Sequence, residues 1–125
     1  MTQNPLLQGI RVLDLSRLLP GPFCTLYLAQ MGAEVIKIED PKGGDGARGM
    51  SADLFSLVNR GKKSVTMDLK LAEDVALFKK LAADADVVIE SFRPGVMDRL
   101  GVGFDVLKAI NPKLVYAALT GYGQT

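Results

Sequence analysis

The chain has 125 residues, 48% of them hydrophobic and 23% charged, the balance of a folded domain rather than a disordered or fibrous segment. Fifteen Lys and Arg against fourteen Asp and Glu leave a net charge of +1, so no overall field draws it to nucleic acid or an anionic membrane. No apolar run approaches the ~20 residues that span a bilayer, and histidine, the commonest general base, is absent.

In chain order, residues 10 to 16 alternate between polar and branched apolar side chains and predict a half-buried first strand. Gly21 and Pro22 break the chain, Pro22 suits a first helical turn, and a helix is expected to about Gln30 with Gly32 as its stop. Residues 33 to 39 alternate again as a second strand. Residues 40 to 50 hold four glycines and a proline and read as a loop. A third strand is expected over 64 to 69. Leu71, Val75, Phe78 and Leu81 then recur at helical spacing, leaving Glu73, Asp74, Lys79 and Lys80 for a solvated face. Residues 86 to 90 and 114 to 119 are short apolar runs and predict two more strands. Strands alternating with helical segments imply an α/β fold: a Rossmann-like, mainly parallel sheet with helices on both faces. The chain reaches Gly121, Tyr122, Gly123, Gln124 and Thr125 straight after the last strand, with no covering helix, so a fragment of a larger domain is expected.

The lone cysteine, Cys24, has no partner for a disulfide. With no histidine beside it, core packing is the expected role. The first residues lack the regions of a secretion signal, and a cytoplasmic setting is the expectation. Gly44, Gly46 and Gly49 satisfy the dinucleotide pattern, but Asp40, Pro41 and Lys42 intervene after the strand and no clear helix opens at Gly49. A glycine loop is the better reading. Gly61-Lys62-Lys63-Ser64 lacks the spacing of a triphosphate loop. Arg60, Lys62, Lys63 and Lys70 frame a short strand, where they either aim together at a polyanion or remain solvated. Asp68, Asp98 and Asp105 show no pairing that suits acid and base work, and fit caps and surface positions.

The ordered blocks Gly9 to Ser16 with Pro20 to Cys24, Gly32 to Glu39 with Gly43-Gly44-Asp45 and Arg48, and Asn59 to Ser64 with Asp68-Leu69-Lys70 resemble the family III coenzyme A transferases of the CaiB/BaiF type, including the α-methylacyl-CoA racemases. Ser91 to Gly95, Arg99-Leu100-Gly101, Asn111-Pro112 and Gly121 to Gln124 continue that resemblance along nearly the whole chain. It implies that residues 1 to 125 form the N-terminal part of a large CoA-binding domain, taking an acyl-CoA thioester as substrate with no tightly bound cofactor. The positions matching the family's binding residues are Leu19 and Pro20, Met67, Asp68, Leu69 and Lys70, Ser91, Phe92 and Arg93, and Arg99. Asp40 stands where the family often has arginine, with Lys42 and Arg48 as possible substitutes. The resemblance also implies a homodimer of interlinked subunits, and a catalytic aspartate and, in racemases, a histidine beyond Thr125, so that no catalytic residue is expected in this chain; no metal site is expected either. The short spacing from Gly44-Asp45 to Asn59-Arg60-Gly61-Lys62 and the Gly-Pro-Phe-Cys turn favour the racemase branch. Transferase activity and a non-catalytic CoA-binding or dimerising module are the alternatives.

Overall fold

A computed structural model describes residues 5–125 and forms all five strands that the alternation predicts: β1 (Arg11–Leu15), β2 (Glu34–Glu39), β3 (Lys63–Thr66), β4 (Val87–Glu90) and β5 (Val115–Ala118). They build one sheet in the order β3-β2-β1-β4-β5, with every adjacent pair parallel. The order reverses between β1 and β4, and in open parallel sheets that reversal opens a crevice beyond the carboxyl ends of the strands.

Six helices connect the strands: α1 (Pro20–Gln30), α2 (Ala47–Met50), α3 (Ala52–Asn59), α4 (Ala72–Ala83), α5 (Val96–Arg99) and α6 (Phe104–Ile110). Helix α1 begins at Pro20, two residues before the expected Pro22, because Pro20 itself supplies the fixed φ of the first helical position. It stops at Met31, after which Gly32 takes φ 102°, a left-handed conformation open to glycine at little cost. The expected loop over 40 to 50 holds α2, so a helical turn does run through Gly49, although one turn is too short to form the dinucleotide fingerprint. Helix α3 follows, and the Ser51 hydroxyl caps it by accepting from the Leu54 N–H at 3.2 Å. Strand β3 ends at Thr66 rather than residue 69, which leaves Met67 to Lys70 in the connection to α4.

On one face of the sheet, Leu13, Leu15, Ile36, Ile38 and Val88 pack under Phe78 and Ala82 of α4, Met97 of α5 and Leu107 of α6. On the other, Val12, Val35 and Ile89 meet Ala29 and Ala33. The first strand is therefore not half-buried: Val12 to Leu15 are all covered, as central parallel strands are when helices lie on both sides. Cys24, expected in the core, is exposed on α1, because that helix turns Thr25, Leu26 and Ala29 inward instead.

Candidate functional site

Beyond the carboxyl ends of β1, β2 and β3 lies a cleft of about 270 Å³. Leu15, Ile38, Met67, Phe92, Val96 and Leu100 give it apolar walls, and Arg17, Glu39, Asp40, Asp68 and Lys70 supply charge. Leu69, Lys70 and Leu100 also line an adjoining groove of about 600 Å³ along α4 and α5. The charged side chains lining that groove are Lys70, Lys79 and Arg99, all cations. Among the described residues none of the three has a carboxylate within 4 Å, so their charge is available to a ligand. Asp68 shapes the passage between cleft and groove: its carboxylate accepts from the Lys70 N–H at 3.0 Å, while its own N–H donates to Asp74 at 2.8 Å.

Of the residues expected at a binding site, Met67, Asp68, Leu69, Lys70 and Phe92 meet in the cleft, and Arg99 joins Leu69 and Lys70 in the groove. Ser91 acts from behind, its hydroxyl accepting the Arg17 N–H at 3.0 Å. Leu19 and Pro20 stand exposed at the start of α1, and Arg93 is exposed; none of these three lines the cleft or the groove. Sequence reasoning passed over Arg17 and Lys79. Arg17 lies two residues past β1, where the carboxyl-end rule for parallel sheets points. Lys79 was assigned to a solvated helix face, and no one-dimensional signal shows that α5 stands opposite it.

The basic cluster around β3 does not act as one patch. Lys62 turns inward, donating to the Asn59 side chain at 2.8 Å and the Pro22 carbonyl at 2.9 Å, with Asp14 at 3.4 Å. Burial pulls its ammonium down to about 8, against the opposing pull of Asp14. Lys63 pairs with Glu34 at 3.2 Å, and Arg60 is exposed. Arg48 is likewise committed: it grips Glu39 through two hydrogen bonds of 2.8 Å and lies 3.8 Å over the Phe55 ring. Arg48 foremost, then the Ser64 hydroxyl at 2.5 Å and the Asp45 N–H, hold Glu39 at about 2 despite its burial. Asp40 does line the cleft, and neither Lys42 nor Arg48 joins it there.

Behind the cleft, Asp14, Lys37 and Asp45 form a buried ionic layer. Asp14 accepts from Thr25 at 2.5 Å and from both the N–H (2.8 Å) and the hydroxyl of Ser16. Gly21 packs so closely on Ser16 that a Cβ there would collide with it. Glu90 ends β4 with one carboxylate oxygen accepting from Tyr116 OH at 2.9 Å and the other buried with no hydrogen-bond partner among the described residues. Burial pushes both Glu90 and Tyr116 up. No helix among the described residues is long and apolar enough to cross a membrane.

The comparisons with known proteins agree with this architecture. An acyl-CoA transferase of Fusarium pseudograminearum is 48% identical over 134 residues, covering 95% of this chain and 29% of that protein. An acetyl-CoA:oxalate CoA-transferase of Acetobacter aceti is 48% identical over 123 residues, covering 94% and 32%. A crystallised hypothetical protein of Mycobacterium tuberculosis superposes with a TM-score of 0.93 at 47% identity, covering 98% of this chain and 35% of that one. The chain thus spans about a third of the length of its relatives. The profile of CoA-transferase family III matches residues 7–125, and the chain belongs to that family.

Proposed function

We propose that residues 1–125 are the N-terminal part of the CoA-binding domain of an acyl-CoA:carboxylate CoA-transferase, and that they hold the acyl-CoA. One observation carries the reading: an apolar-walled cleft at the ends of parallel strands runs into a groove whose charged lining residues are Lys70, Lys79 and Arg99. Coenzyme A has the matching form, with phosphates at one end and a slender pantetheine arm at the other. The cations meet the phosphates by charge-assisted hydrogen bonds, and the cleft excludes water from the arm. Transfer itself belongs to the longer protein. A carboxylate attacks the thioester carbonyl, and the C–S bond breaks with CoA thiolate as leaving group. The thiolate then attacks the other carbonyl of the anhydride so formed, releasing the donor's carboxylate and leaving the attacking carboxylate as the new thioester.

The relatives named as transferases support this branch. The racemase branch keeps two supports of its own, the short spacing from Gly44-Asp45 to Asn59-Arg60-Gly61-Lys62 and the turn at Gly21 to Cys24. There the α-proton leaves and returns, and the C–S bond stays intact. Both branches share the proposed homodimer, which light scattering on the longer protein would test.

Titration of the chain with coenzyme A tests the site. Lys70→Ala is expected to weaken binding by about 1–3 kcal/mol, the scale of one charge-assisted hydrogen bond. Arg93→Ala separates geometry from family correspondence, since the groove predicts little loss and the correspondence a loss like that of Lys70→Ala. Unchanged affinity for Lys70→Ala would remove the groove from the proposal. For the branch, the longer protein is incubated with a chiral 2-methylacyl-CoA in deuterated water, and separately with a labelled carboxylate acceptor. Label moving into thioester marks a transferase, and α-deuterium without it a racemase. The 125-residue chain alone is expected to do neither.

A further inference from the structure

The turn that follows β1 is held in an unusual way. Among the described residues Leu18 is the one non-glycine with positive φ, at 68°, a conformation that a leucine adopts only under constraint. The constraint is visible. Three successive backbone N–H groups donate to side chains from three places in the fold: Ser16 to Asp14 at 2.8 Å, Arg17 to Ser91 at 3.0 Å and Leu18 to Asp45 at 2.9 Å. The Ser16 carbonyl accepts from Lys37 Nζ at 3.0 Å. Asp45 is the hub, since it joins this turn to β2. One of its carboxylate oxygens takes the Leu18 and Ala47 N–H groups, each at 2.9 Å, and the other lies 2.8 Å from Lys37 Nζ. Its own N–H donates to Glu39 at 2.9 Å. The carboxylate is 2% exposed. Burial pushes it toward neutrality, yet Lys37 and the Ala47 and Leu18 N–H groups bring it below the usual range, so the charge persists.

The residue aimed by this turn is Arg17. Its guanidinium carbon sits 4.7 Å from the centroid of the Phe92 ring, and both residues line the cleft. Among the described residues Arg17 makes no ion pair, so its donors are free for an anionic group. We infer that Asp45 is a positioning residue, which with Lys37 locks Leu18 in its left-handed conformation and thereby lays Arg17 over Phe92 at the cleft wall to meet an anionic oxygen of the ligand. The ligand part of this inference rests on the acyl-CoA reading above; the positioning part rests on the turn alone.

The experiment compares the labelled 125-residue chain with its Asp45→Asn, Asp45→Ala and Asp45→Ala/Leu18→Gly variants. Nuclear magnetic resonance follows the Arg17 side-chain protons, which the Phe92 ring current displaces upfield. Calorimetric titration with coenzyme A and thermal melts use the same samples. Asp45→Ala is expected to return the Arg17 protons toward the free-arginine position and to weaken coenzyme A about tenfold, the effect of one contact. Asp45→Asn retains the acceptor for Leu18 but weakens the ion pair, and is expected to lose part of the displacement. Leu18→Gly in the alanine background removes the cost of positive φ and should restore much of it, which a general loss of stability would not allow. If Asp45→Ala lowers only the melting temperature, with Arg17 displacement and affinity unchanged, the inference is overturned. Should Asp45→Ala fail to fold, an Asp45→Asn chain with a wild-type Arg17 spectrum overturns it equally. If wild-type chain ignores coenzyme A while the Arg17 protons still follow Asp45, the acyl-CoA reading falls and the positioning role stands.

Discussion

The two faces of the sheet are built from alternate residues of the same strands, yet they are held together by different forces. On the α4 side Leu13, Leu15, Ile36 and Ile38 lie against Phe78 and Ala82, an apolar layer whose cohesion follows the area removed from water. On the α1 side the intervening residues include Asp14, Lys37 and Glu39, fully or nearly fully buried and satisfied by ion pairs and hydrogen bonds. An apolar layer tolerates small shifts of its side chains. A buried ionic layer does not, because each lost partner leaves a charge stranded in a poor solvent. The directional layer lies beneath the turn that feeds the cleft, so the fold places its stiffer chemistry where geometry matters most.

The contrast has its largest expected effect at Lys37. Lys37→Met leaves Asp45 buried without its counter-charge, and a loss of about 3–5 kcal/mol is expected in urea unfolding. On the other face Phe78→Leu retains most of the buried volume, and a loss of less than about 1.5 kcal/mol is expected. Equal losses would erase the distinction between the faces.

The pH dependence of stability sharpens it further, because both groups concerned belong to the ionic face. Folded Glu39 holds its proton only below about 2, against 4.5 when free. The unfolded chain therefore binds more protons in that interval, and the contribution of Glu39 is lost as pH falls from about 4.5 toward 2. Arg48→Ala should reduce that loss. Lys62 gives a slope of the same sign at alkaline pH: folded, it releases its proton near 8 rather than 10.5, so the unfolded chain again binds more protons between those values. Its contribution to stability thus rises with pH from about 8. Tyr116, pushed up by burial and by Glu90, starts to oppose this once free tyrosine ionises near 10. Melts between pH 7.5 and 9.5, with Lys62→Met as the comparison, isolate the lysine slope; a slope that survives in Lys62→Met would assign it elsewhere.

The smallest effect concerns Leu18. Leu18→Gly relieves a positive φ that costs on the order of 1 kcal/mol, while giving up a half-exposed side chain. A net gain of about 0.5 kcal/mol in urea unfolding is expected; a loss above 1 kcal/mol would mean that the Leu18 side chain, not its backbone, secures the turn.

The sequence alone determined the α/β class, the five strands and their parallel pairing. Runs such as Val35-Ile36 and Val87-Val88-Ile89 announce strands through local apolar patterning, and the long intervals between them require crossovers. The blocks around Pro20 to Cys24, Met67 to Lys70 and Ser91 to Gly95 identified the family without coordinates. Helix α3 was also legible in principle, from Ser51 as cap and the spacing of Leu54, Phe55 and Val58. Burial of charge was a different matter. Lys37 and Lys62 look like surface lysines in a string of letters, and their place inside depends on Asp45 and Asp14, 8 and 48 residues away. Arg17 over Phe92 spans 75 residues, and Lys79 faces a groove completed by Arg99, 20 residues further on. Local propensity acts over a few residues, whereas the partner of a buried charge is chosen by which strands lie side by side. Only the tertiary structure decided which cations are spent on the fold and which remain for a ligand.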